Sequence, residues 1–137
     1  MEPESIVKLV LAATLLVLAS AAPNWVTFRD NQYTHIADSK TFLEAEADCV
    51  SLGGHLASIH SQEVKFFVYS LNPKGRRFAW IGGENNGDGK NVWTDGSAWD
   101  VEEPVLGLDS KYFVVPNGSP VWIRGSDMFK TAYVCKK

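Results

Sequence analysis

Cysteine is scarce in this chain: Cys49 and Cys135 are the only two among 137 residues. Runs of lysine or arginine are missing, and the formal charge is −3. A mildly acidic chain without basic stretches argues against nucleic acid or an anionic membrane as the main partner. Long hydrophobic runs are also missing. The most apolar stretch, Leu9 to Leu18, falls short of the roughly 20 residues a membrane span needs. No hydrophobic tail at the C-terminus points to a lipid anchor. There is no internal repeat, no low-complexity segment and no heptad stalk of the kind that drives trimers.

The short apolar run has a meaning of its own. Lys8 precedes it, and Ala19-Ser20-Ala21 follows with small residues where a signal peptidase reads. The pattern predicts a signal peptide over residues 1–21, a secreted product, and one extracellular domain over 22–137. Removing Glu2, Glu4 and Lys8 with the leader moves the formal charge from −3 to −2. An even cysteine count in an exported chain suggests one disulfide; the alternative is two free buried thiols. Joining Cys49 to Cys135 closes a loop of 86 residues, for which the chain-entropy model gives roughly 4–5 kcal/mol.

Thr41 and Glu44 form a capping box, which predicts a helix start. Phe42, Ala45, Cys49 and Leu52 follow at helical spacing, and Gly53 stops the helix. Ser61 caps a second helix whose apolar face is Val64, Phe67, Val68 and Leu71, with Asn72-Pro73 ending it. Strands are expected at residues 24–30, 32–36, 78–83, 91–94, 111–115, 120–124 and 131–136. Two helices followed by strands, with a polar loop region at 84–109, indicate an α+β domain rather than alternating βαβ units.

Several of these residues together resemble the C-type lectin-like domain, over nearly all of 22–137. They are Phe42 with Glu44-Ala45 and Cys49, then Gly53-Gly54-His55-Leu56, then Trp80-Ile81-Gly82, and finally Tyr133-Val134-Cys135. The resemblance implies an extracellular ligand-binding fold of two helices packed on small antiparallel sheets, with a long ligand loop. It also implies that Cys49 pairs with Cys135. The second disulfide of the family is missing, because its positions fall on Phe113 and Asp127. That predicts more mobile ligand loops. Trp99 and Pro104 keep the family's tryptophan–proline spacing, and Asp95-Gly96-Ser97 matches the turn upstream.

The resemblance raises the question of calcium. Sugar-binding members hold the metal through a Glu-Pro-Asn motif, a downstream carboxylate and a Trp-Asn-Asp motif. Here those positions read Glu103-Pro104-Val105, Lys111 and Trp122-Ile123-Arg124. Calcium needs six to eight oxygens, and two cations now stand in their place. Asp109 serves only if the loop shifts. Glu84 and Asp88 match an auxiliary calcium site, although Glu84-Asn85-Asn86-Gly87-Asp88-Gly89 also reads as a polar surface turn. The expectation is that Arg124, with Lys111, pairs with Glu103 and fills the vacated site.

Other candidates are set aside on spacing. His55 and His60 are five apart, where a helical metal pair is four apart. Adjacent Glu102 and Glu103 make a poor acid–base pair, and no activated nucleophile is evident, so no catalysis is expected. Trp80 and Trp93 are assigned to the core. Trp99 and Trp122 border the ligand loop, either facing a ligand or packing the loop onto the core. The candidate binding residues are therefore Trp99, Glu103, Pro104, Asp109, Trp122 and Arg124. The expected function is calcium-independent binding of an extracellular glycan or glycoprotein. The alternatives are a calcium-dependent lectin with a shifted site, and a protein-binding module such as an inhibitor or a toxin-like subunit. Asn117-Gly118-Ser119 is a glycosylation sequon, followed by Pro120.

Overall fold

The computed structural model describes residues 22–73, 78–106, 110–116 and 121–137. The predicted signal peptide, Asp109 and the sequon lie outside them. Two strands come first. β1 (Val26–Phe28) turns at Arg29 into β2 (Asn31–Lys40). β2 runs antiparallel to the last strand, β9 (Thr131–Lys136), so both ends of the domain share one sheet.

The first helix, α1 (Phe42–Ser51), begins where the capping box predicts. The Thr41 hydroxyl accepts from the Glu44 amide at 3.3 Å, and the Glu44 carboxylate accepts from the Thr41 amide at 3.0 Å. Phe42, Ala45 and Cys49 are buried, while Leu52 is only partly so. Gly53 sits at φ +91, the left-handed region glycine enters at least cost. The Gly53 amide reaches the Val50 carbonyl and the Gly54 amide the Cys49 carbonyl, a Schellman stop. A short strand, β3 (His55–Leu56), pairs with β9. The second helix, α2 (Gln62–Leu71), is capped by the Ser61 hydroxyl, which accepts from the Val64 amide. Its most buried residues are Lys65 and Val68. Lys65 was not expected on the inner face.

The sheet order is β1-β2-β9-β4-β7-β8-β6, with β4 (Phe78–Asn85) in the middle. β4 runs parallel to β9 and antiparallel to β7 (Tyr112–Pro116) and to β5 (Asn91–Trp93). β8 (Trp122–Gly125) pairs with β7 and, in parallel, with β6 (Val105–Leu106), which the sequence did not predict. The strand predicted at 24–30 shrinks to three residues, and that at 32–36 grows to ten by pairing with β9.

Strand alternation divides the core in two, because successive side chains face opposite ways. Ala79, Ile81, Phe113, Val115 and Val134 join Trp93, Trp122, Ile59 and Val68 under α2 and the long loop. Trp80, Tyr112, Val114, Tyr133 and Cys135 join Phe42, Ala45 and Cys49 under α1. Glycine at 82 is required by proximity: a Cβ there would lie 2.5 Å from the Leu56 carbonyl oxygen.

Cys49 is bonded to Cys135, tying α1 to β9 across a Cα separation of 5.5 Å. Both cysteines are fully buried. Replacing the two with alanine should lower unfolding free energy by about 2–5 kcal/mol, measured by chemical denaturation. An unchanged denaturation midpoint would show that packing alone holds α1 to β9.

Candidate functional site

Residues 94–106 leave β5 and return to β6, and they form one wall of a pocket. Trp93, at the end of β5, is buried. Trp99 stacks on it at 4.2 Å between ring centroids. Trp99 also meets Phe113 at 5.2 Å and Trp122 at 5.8 Å, and Trp93 meets Trp122 edge-on at 5.7 Å. Aromatic pairs in such offset and edge-on arrangements contribute about 0.5–1.5 kcal/mol each beyond area burial. Trp122 is 0% exposed, so it supports the wall from behind and offers no surface to a ligand. Trp99 is half-buried and lines the pocket.

The pocket encloses about 570 Å³ and is lined by Asn91, Trp99, Asp100, Val101, Glu102, Glu103 and Val105. One of these residues, Glu103, is held by an ion pair. Lys65 Nζ lies 2.6 Å from Glu103 Oε2, and the two side chains are only 4% and 7% exposed. The Gln62 amide nitrogen donates to Glu103 Oε1 at 2.9 Å. Both carboxylate oxygens are therefore engaged by α2. The expected pairing of Glu103 with Arg124 does not form. Arg124 faces Phe113 across the β7–β8 register, its guanidinium 5.9 Å from the ring centroid. Its Nε is buried with no hydrogen-bond partner among the described residues. Lys111 instead lies 3.9 Å from Glu84. Pro104 contributes its carbonyl, which accepts from the Trp122 amide at 3.1 Å and fixes the loop to β8.

Behind the loop runs a polar chain. Lys136 Nζ donates to Ser58 Oγ at 3.0 Å, and Ser58 Oγ donates to Asp95 Oδ2. The Ser97 amide and hydroxyl both donate to Asp95 Oδ1. His60 bridges Ser97 Oγ, at 2.9 Å, and Asp100 Oδ1, at 2.7 Å. Burial by itself raises the Asp95 carboxyl. The hydrogen bonds from Ser58 and Ser97 and the charge of Lys136 outweigh it and hold Asp95 below the ordinary carboxylate value. The hydrogen bond to His60 lowers Asp100 in the same way.

Comparison with known proteins gives this geometry a family. The model of the lectin C-type domain matches residues 38–137. The chain belongs to the C-type lectin domain family. It is 35% identical over 118 residues to the low affinity immunoglobulin epsilon Fc receptor of Mus musculus, covering 81% of this chain and 34% of that protein. It is 35% identical over 88 residues to lactose-binding lectin l-2 of Anguilla japonica, covering 63% of this chain and 53% of that one. The chain thus spans about a third to about half the length of these relatives. A calcium-independent type II antifreeze protein of known structure superposes with a TM-score of 0.74 at 27% identity, covering 82% of this chain and 90% of that one.

A C-type lectin domain raises the matter of calcium, and the donor set does not fit it. Glu103 has both oxygens on α2, and the motif positions in β8 carry Ile123 and Arg124. At the auxiliary position Glu84 faces Lys111, and Asp88 is exposed. The side-chain oxygens of Asn85 and Asn86 accept from the amides of Gly87 and Asp88, as in a self-contained polar turn. Among the described residues no three His, Cys, Asp or Glu side chains converge as a metal would need.

At the lost second disulfide, Phe113 is 0% exposed within the aromatic cluster, and Asp127 lies in an exposed turn. The aromatic cluster is a non-covalent brace for the loop at the position where the family resemblance implies a second disulfide. Two features escaped the sequence: Lys65, 38 residues from its partner, and the joining of His60 to the 95–100 turn. The available signal for Lys65 was its spacing, three residues before Val68 on the buried stripe.

The pair and the chain each yield a test. Lys65→Met should destabilise the domain by about 3–5 kcal/mol, since it leaves Glu103 buried and unpaired. Adding Glu103→Gln should recover part of that loss, and additive effects in the double-mutant cycle would show the two are uncoupled. For Asp95 the folded pKa is depressed. Its stabilisation is therefore present above the unfolded value of about 3.9 and lost as pH falls through the folded one. Denaturation midpoints should drop on acidification below about pH 4, and Asp95→Asn should make that drop shallower.

Proposed function

We propose that this domain is secreted and binds an extracellular glycan or glycoprotein at the Trp99 pocket without calcium and without catalysis. The observation that carries this is Glu103. The carboxylate that relatives of the family turn toward a metal is held here by Lys65 and Gln62, beside a concave wall offering Trp99. An aromatic face suits the apolar face of a sugar ring, and Asn91, Asp100 and Glu102 supply hydrogen-bonding groups around it. The lactose-binding relative supports a glycan, and the calcium-independent antifreeze structure is a precedent for this fold without the metal. The leader expected over 1–21 supports export. Among the described residues no helix is long and apolar enough to cross a membrane.

A protein ligand is the second reading. Leu106, 60% exposed next to the pocket residue Val105, favours it as an apolar contact at the rim.

A glycan array read in millimolar calcium and in excess chelator should give the same binding pattern, and Trp99→Ala should weaken it at least tenfold. The melting temperature should be unchanged between the two conditions. Loss of binding with chelator would indicate a shifted calcium site that uses Asp109.

A further inference from the structure

Among the described residues, the pocket is lined by three carboxylates, Asp100, Glu102 and Glu103, and by no lysine or arginine. Glu103 is neutralised, because Lys65 lies against it and both side chains are almost out of water. Asp100 gives one oxygen to His60 at 2.7 Å, yet 51% of its side chain stays exposed. Glu102 is exposed and pairs with no cation among the described residues. It keeps its charge open to the pocket whatever charge His60 carries. Three further cations are committed elsewhere. Lys111 lies by Glu84, Arg124 lies over the Phe113 ring, and Lys136 is bonded to Ser58 behind Asp95. Lys90 precedes Asn91 in the chain but belongs to the exposed 86–90 turn and does not line the pocket.

We propose that the pocket selects sugars carrying a protonated amine and rejects sugars carrying a carboxylate or a sulfate. The inference deepens the glycan reading given above and rests on it. Trp99, Asp100 and Glu102 lie on one short segment and line one cavity of about 570 Å³, so a ring that meets the indole has its substituents close to the carboxylates. An ammonium there gains charge-assisted hydrogen bonds from the carboxylates and attraction from the aromatic ring. An N-acetyl group on the same carbon brings no charge and gains neither. A carboxylate or sulfate meets charge of its own sign, with no lysine or arginine lining the pocket to receive it. Like charges brought together in this way exclude a wrong ligand more effectively than a poor fit does.

The test uses the whole domain and three forms of each ligand. Oligomers of glucosamine and of galactosamine, each as the N-acetyl, free-amine and N-acetyl O-sulfated form, are titrated by calorimetry at about pH 6, above the ordinary carboxylate range. The amine form should bind about fivefold tighter than the acetylated form, the gain expected of an exposed cation beside an aromatic ring and a carboxylate. The sulfated form should bind about fivefold weaker. Both differences should shrink when salt is raised from about 0.05 M to about 0.5 M, because exposed charges are screened. Glu102→Gln keeps the size of the side chain and should bring the ratio of amine to acetyl binding close to one. Glu63→Gln removes a charge from the exposed face of α2, outside the pocket, and should leave that ratio unchanged. Equal binding of the three forms would overturn the inference and leave the glycan reading standing. A ratio that falls as far in Glu63→Gln as in Glu102→Gln would overturn it too, since net charge would then be the cause. If none of the forms binds, the glycan reading falls and the inference falls with it.

Discussion

The contact between Lys65 and Glu103 sets what the rest of the binding region can be. It joins α2 to the segment that becomes β6, and it does so where both side chains are nearly out of water. An isolated charge there would be expelled or neutralised. A pair is tolerated because the ammonium lies 2.6 Å from one oxygen and Gln62 satisfies the other. Once Glu103 is turned to α2, the neighbouring Pro104 carbonyl meets the Trp122 amide, and β6 can lie beside β8. The pocket therefore inherits its shape from a helix, which is a stiffer support than a loop held only by its own turns.

The same arrangement explains how a C-type lectin domain with one disulfide keeps its long loop in place. Three different forces act on it at separate points. Trp99 is fixed by stacking on Trp93 and by contact with Phe113, which occupies a position relatives give to cysteine. Glu103 is fixed by charge. The 95–100 turn is fixed by the polar chain from Lys136 to Asp100. A covalent link is insensitive to modest changes in packing. This set is not, because each of its members depends on close contact and one depends on a buried charge pair.

Much of the scaffold was legible because it rests on local rules. The capping box at Thr41, the glycine stop at Gly53 and the serine cap at Ser61 each need only a few adjacent residues. The alternation in β4 and β9 is written in the order of residues and survives into the two core clusters. The disulfide pairing came from the family resemblance. The binding region was less legible because its contacts are not local. Aligning the chain to the family motif put Arg124 opposite Glu103 as residues that would once have shared a metal. Without the metal nothing requires them to converge, and Arg124 settled over Phe113 instead. β6 was missed for a similar reason: two residues carry no periodicity, and their strand character comes from pairing with β8.

His60 shows how a residue that looks idle in one dimension acquires a role in three. Sequence spacing rules out a helical metal pair with His55, and it offers no other partner. The partners come from the turn at Asp95-Gly96-Ser97, where Gly96 takes a φ of +78 and lets the chain reverse. That reversal puts the Ser97 hydroxyl within reach of both Asp95 and His60, and it brings Asp100 to the other ring nitrogen. The Ser58 hydroxyl and the Ser97 amide each hold one oxygen of Asp95, so the Ser97 hydroxyl is shared between Asp95 and His60. The turn is thereby tied to the segment after β3 at three points: Ser58 to Asp95, His60 to Ser97 and His60 to Asp100. None of the three is visible in sequence spacing, because each depends on the chain reversal at Gly96.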